Sequence, residues 1–76
     1  STGTRVGAAI GKSMAAGKRA LRSKRFSRAA LEFNRALSVH PGDVKALDGL
    51  AEAYKGLGDR DRAAAAANKA RSIKGK

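Results

Sequence analysis

A single histidine, six carboxylates and a Gly-Lys-Ser triplet are the residues in this 76-residue chain that most invite a chemical reading, and their spacing argues against one. His40 stands directly before Pro41, in a segment that must end a helix, so neither a catalytic triad nor a metal cluster assembles around it. Asp43, Asp59 and Asp61 each precede a helical stretch, where a short carboxylate serves as an N-cap rather than as one half of an acid–base pair. Gly11-Lys12-Ser13 matches the tail of a phosphate-binding loop, but the first glycine at the required spacing and the preceding strand are both absent. The expectation is a protein that catalyses nothing and holds no cofactor or metal.

What remains is charge. Seventeen Lys and Arg face six Asp and Glu, for a net charge of +11. Eight of the basic residues fall between Arg5 and Arg28, and the first acid is Glu32, so the N-terminal third is purely cationic. Such a field steers acidic partners: an acidic peptide, a nucleic acid or an anionic membrane. Arg19, Arg22, Lys24, Arg25 and Arg28 form a cluster suited to phosphates, which makes polyanion or nucleic-acid binding the alternative function. Against it, the only aromatics, Phe26, Phe33 and Tyr54, are needed in the core, leaving none to stack on bases. No apolar run reaches the roughly 20 residues of a membrane span. The chain has no cysteine, which fits a reducing, cytoplasmic setting and leaves the small core without a disulfide staple.

The elements that position these charges are helices. Ile10, Met14, Gly17 and Leu21 recur at three-and-four spacing and predict a first helix from Ala8 to Lys24. A second helix, capped by Ser27, carries Ala29, Ala30, Phe33, Ala36 and Leu37 on one stripe and stops at His40-Pro41. Asp43 caps a third, with Leu47, Leu50, Ala51, Tyr54 and Leu57 as its apolar face and Gly58 as its left-handed terminator. Asp59 or Asp61 opens a fourth, reaching about Ile73, whose face is Ala63, Ala66, Ala67 and Ala70. Nothing alternates with period two, so the fold class is all-α.

Sliding the chain against itself by 34 residues aligns small with small: Gly17 with Ala51, Ala29 with Ala63, Ala30 with Ala64, Ala36 with Ala70. With these residues the sequence resembles the tetratricopeptide repeat (TPR), a 34-residue helix hairpin. Leu47, Leu50, Ala51, Tyr54, Leu57 and the Gly58-Asp59 turn match the first-helix half of the second copy. Phe26, Ala29, Phe33, Ala36 and Pro41 match the second-helix half of the first. Ala16 and Ala20 depart from the pattern in copy one, as do Arg60 and Ala67 in copy two. The implied organisation is a disordered linker or cloning remnant over 1–8, a repeat over 9–43, and a second repeat with a short basic tail over 44–76. Two tandem antiparallel hairpins would then stack as a short right-handed solenoid.

The resemblance also implies a site. First helices of such repeats line a concave groove for an extended peptide or a partner helix, here Met14, Lys18, Leu21 and Arg22 on the first helix and Lys45, Asp48, Glu52 and Lys55 on the third. An acidic segment held by Lys18, Arg22 and Lys45, with apolar contact from Met14 and Leu21, is the expected ligand. The family branch that clamps chaperone-tail carboxylates is not matched, because Met14, Lys18 and Gly49 stand where its lysine and asparagines belong. The expectation is a scaffold module of a larger protein, folded as a monomer or weak dimer, whose partner is another protein.

Overall fold

The structure, a computed structural model, describes the backbone of residues 2–75 and the side chains of residues 9–75. It contains four helices and, among the described residues, no strand: α1 (Thr2–Arg22), α2 (Phe26–Val39), α3 (Val44–Gly56) and α4 (Arg60–Lys74). α1 packs on α2, α2 on α3 and α3 on α4, and α1 also touches α3; α2 and α4 make no close backbone approach. The molecule measures 40 × 32 × 15 Å, and the short dimension is that of a slab two helices thick. No helix of the described residues is long and apolar enough to cross a membrane.

Both hairpin turns are Schellman motifs, and they are the same motif displaced by 34 residues. After α1, the Arg25 N–H donates to the Ala20 carbonyl (2.8 Å) and the Lys24 N–H to that of Leu21 (3.0 Å); after α3, Asp59 donates to Tyr54 (2.9 Å) and Gly58 to Lys55 (3.0 Å). The motif needs a left-handed residue. Gly58 supplies it at φ +77°, while Lys24 does so at φ +57° with a side chain that disfavours that region. Here the expected end of the first helix is corrected: α1 stops at Arg22, and Lys24 belongs to the turn. Its start also differs, since the backbone is helical from Thr2 rather than Ala8. The expected linker over 1–8 falls outside the residues whose side chains are described.

The caps divide the same way. Asp43 accepts from the Ala46 N–H (3.0 Å) and Asp59 from the Arg62 N–H (3.1 Å), each bond contributing about 1 kcal/mol. Asp61 lies inside the first turn of α4. Ser27 is not a cap. α2 begins one residue before it, at Phe26, so the N-cap position falls to Arg25, which makes no side-chain cap bond. At the other end α2 stops at Val39, and His40 and Asp43 close a turn around Pro41-Gly42 through an Asp43 N–H to His40 carbonyl bond of 3.1 Å.

Phe33 holds three helices together. Its side chain is fully buried, and a Cβ added to Gly17 of α1 would stand only 2.8 Å from its ring; a Cβ on Gly49 of α3 would overlap the same ring from the opposite helix. Bare glycine backbone on α1 and α3 is thus what lets one phenylalanine of α2 fill their junction. Phe26 lies over Gly56 in the same manner. Around them Ala20, Ala29, Ala30, Ala36, Ala46, Leu50, Ala51, Ala53 and Ala66 complete the core, with Met14, Leu21 and Tyr54 partly buried against it. Leu57, expected on the apolar face of α3, is instead 47% exposed, because it is the C-cap and points away from the core.

Candidate functional site

The residues expected to form the groove separate into three groups. Lys18 and Arg22 of α1 and Lys45, Glu52 and Lys55 of α3 are exposed, on neighbouring helices that touch. On α3 Lys45, Asp48, Glu52 and Lys55 recur at three-and-four spacing, on the side opposite the buried Leu47 and Leu50 and the half-buried Tyr54. Met14 and Leu21 are half-buried against the core, so only part of each side chain is left for a ligand. Asp48 is exposed but engaged: its Oδ2 accepts from the Lys74 Nζ of α4 at 3.2 Å, a surface pair that stitches the second hairpin. At these positions the exposed charge on α1 and α3 is mostly cationic, from Lys18, Arg22, Lys45 and Lys55, and Glu52 is in none of the described ion pairs.

The second expected cluster does not stay together. Arg19, Arg25 and Arg28 line a concavity of about 350 Å³ with Ala16, Ala20, Ser23 and Glu32. Arg22 and Lys24 are exposed and do not line it. A larger adjoining hollow adds Lys12, Ser13 and Arg35 around the same Glu32. This outer face of the first hairpin is thus basic at the rim and acidic at the floor.

Glu32 is the residue that sequence reasoning passed over. It is the buried charged side chain among the described residues, 4% exposed, and its carboxylate is divided between Arg28 (3.0 Å) and Arg35 (3.3 Å). The signal was present, since Arg28, Glu32 and Arg35 stand at i, i+4 and i+7, where opposite charges on one helix face meet. A carboxylate at that floor offsets one positive charge and engages Arg28, one of the residues that a phosphate would need. Gly49, which stands at a clamp position in the repeat family, is buried under Phe33 and has only a packing role.

His40 lies exposed in the α2–α3 turn, 3.8 Å from the Asp43 carboxylate that caps α3. No three His, Asp or Glu side chains of the described residues gather closely enough to hold a metal ion. Gly11-Lys12-Ser13 sits in mid-helix, where the amides a phosphate loop would offer are consumed by the α1 ladder. Comparison with protein-family models, with curated proteins and with solved structures gives no match for the chain.

Proposed function

We propose that the chain is a non-enzymatic protein-binding module of two tetratricopeptide-like hairpins, a scaffold element of a larger cytoplasmic protein, whose α1/α3 face receives an acidic segment or partner helix. The 34-residue displacement between the two Schellman turns, and between the helix ends that flank them (Arg22 and Gly56, Phe26 and Arg60), supports the repeat reading. The observation that carries the reading is the exposure of Lys18 and Arg22 on α1 and of Lys45 and Lys55 on α3, two helices that touch. Charge-assisted hydrogen bonds from these side chains suit carboxylates spaced along an extended chain. The exposed parts of Met14 and Leu21 supply the apolar contact. A monomer or weak dimer fits the mild, alanine-rich surface of α4.

The test is fluorescence anisotropy with a labelled peptide rich in Asp and Glu. The triple variant Lys18→Glu, Arg22→Glu, Lys45→Glu should bind at least about tenfold more weakly than the parent chain. Equal binding by the two would sink the proposal. Nucleic-acid binding by the Arg19, Arg25 and Arg28 face is the second reading, favoured by their shared concavity and opposed by Glu32. Its signature would be an affinity for labelled single-stranded nucleic acid that collapses steeply between two salt concentrations.

A further inference from the structure

Because α2 and α4 stay apart, a cleft of about 360 Å³ opens between them on the side of α3 away from the cationic face. Its floor is apolar, formed by Leu47 and Leu50 of α3, with Leu37 on one wall and Ala65 and Ala66 on the other. Its ends are not. Tyr54 closes one end, its hydroxyl accepting from the Asn34 Nδ2 at 3.4 Å and its ring lying 5.9 Å beneath the Arg62 guanidinium. Lys69 lines the other, beside Pro41. Arg62 and Lys69 are seven residues apart on one helix, which places their stems roughly 10 Å apart at 1.5 Å per residue. Both are exposed, and besides its place over the Tyr54 ring Arg62 has a loose 3.6 Å pair with Asp59, a contact that a closer carboxylate can replace.

We propose that this cleft is a second peptide-docking site, for an extended acidic segment in which two carboxylates about three residues apart bracket one large aliphatic side chain. The charge arrangement selects that occupant. Two cations about 10 Å apart match acids at i and i+3 of a segment extended as a polyproline-II helix, whose three residues per turn and rise of about 3.1 Å put i and i+3 on one side, about 9 Å apart. The apolar floor between them matches a leucine-sized group, and the volume lies at the lower end of the range for ligand pockets, roughly 300–1,000 Å³. The site is independent of the α1/α3 face, which lies on the opposite side of α3. Small residues on α4 create the space: Ala65 occupies the place that Leu31 holds on α2, 34 residues earlier.

The experiment is titration of the ¹⁵N-labelled chain with a blocked Gly-Asp-Leu-Ser-Asp-Gly peptide, followed by amide chemical shifts. Saturable shifts are expected at Leu37, Leu47, Ala65 and Ala66, with about tenfold weaker binding when the peptide leucine is replaced by alanine. Ala65→Leu, at an exposed position, should fill the cleft and abolish those shifts. Should that variant lose its helical circular dichroism, Arg62→Glu with Lys69→Glu, both on the surface, decides the matter by weakening binding at least about tenfold. Shifts confined to the Lys18, Arg22 and Lys45 region, equal binding of the alanine peptide, or shifts in the cleft that grow with protein concentration alone would each overturn the proposal; the last would make a second copy the occupant.

Discussion

The two hairpins share one backbone and differ where a neighbour covers them. Thirty-four residues apart, the same positions read Ser13 and Leu47, Ala16 and Leu50, Ala20 and Tyr54, Glu32 and Ala66. In the second hairpin α2 packs on the α3 part of this surface, the cleft beyond it runs to Ala66 of α4, and the residues are apolar. In the first hairpin they line the open outer hollows, and they are small or charged, with a carboxylate tied to two arginines. Backbone plan and side-chain character are therefore set by different things: the turn and cap residues fix the hairpin, while the presence of a covering helix decides how apolar its face can be.

The largest expected effect lies at the junction that joins the hairpins. Phe33→Ala should cost about 3–5 kcal/mol, out of a total of about 4–11 kcal/mol for a domain of this size, and urea denaturation followed by circular dichroism would read it. Its 34-residue equivalent is Ala67, only half-buried, where the second hairpin has no such wedge. Exchanging the faces comes next. Leu50→Glu places a carboxylate on the buried side of α3, with no cation three or four residues away, and should destabilise by about 2–3 kcal/mol in the same assay. The opposite change, Glu32→Ala, should cost no more than about 1 kcal/mol, because the arginines it leaves behind are more than half exposed. Equal costs for the two would break the comparison.

The smallest effects sit in the turns. Gly58→Lys should cost about 1 kcal/mol, and Lys24→Gly should gain about 0.5–1 kcal/mol, since both test the same left-handed position of the same motif. Melting temperatures measured side by side would show the opposite signs. If both variants lost stability, the two turns would not be equivalent.

Much of this was legible in the residues. Helix number, the stop at Pro41, the caps Asp43 and Asp59 and the terminator Gly58 all follow from local chemistry that acts within a turn or two. The left-handed Lys24 was hidden because lysine carries no preference for that region, and only the displacement from Gly58 points to it. Ser27 misled for a related reason: a good cap residue was present, but the Schellman turn had already fixed where α2 begins. The exposed basic residues were readable as a class, whereas their division between the α1/α3 face and the outer face depends on helix phase relative to neighbours. The cleft between α2 and α4 was not legible, because it exists through the distance between two elements whose backbones stay apart.

A comparison of matched charge reversals tests the functional claim most directly. One variant carries Lys18→Glu, Arg22→Glu and Lys45→Glu; the other carries Arg19→Glu, Arg25→Glu and Arg28→Glu; both change the net charge by the same amount. Titrated calorimetrically with one Asp- and Glu-rich peptide near physiological salt, the first should lose at least about tenfold in affinity and the second less than about threefold. Loss confined to the second variant, or equal loss in both, would contradict the assignment of the binding face to α1 and α3.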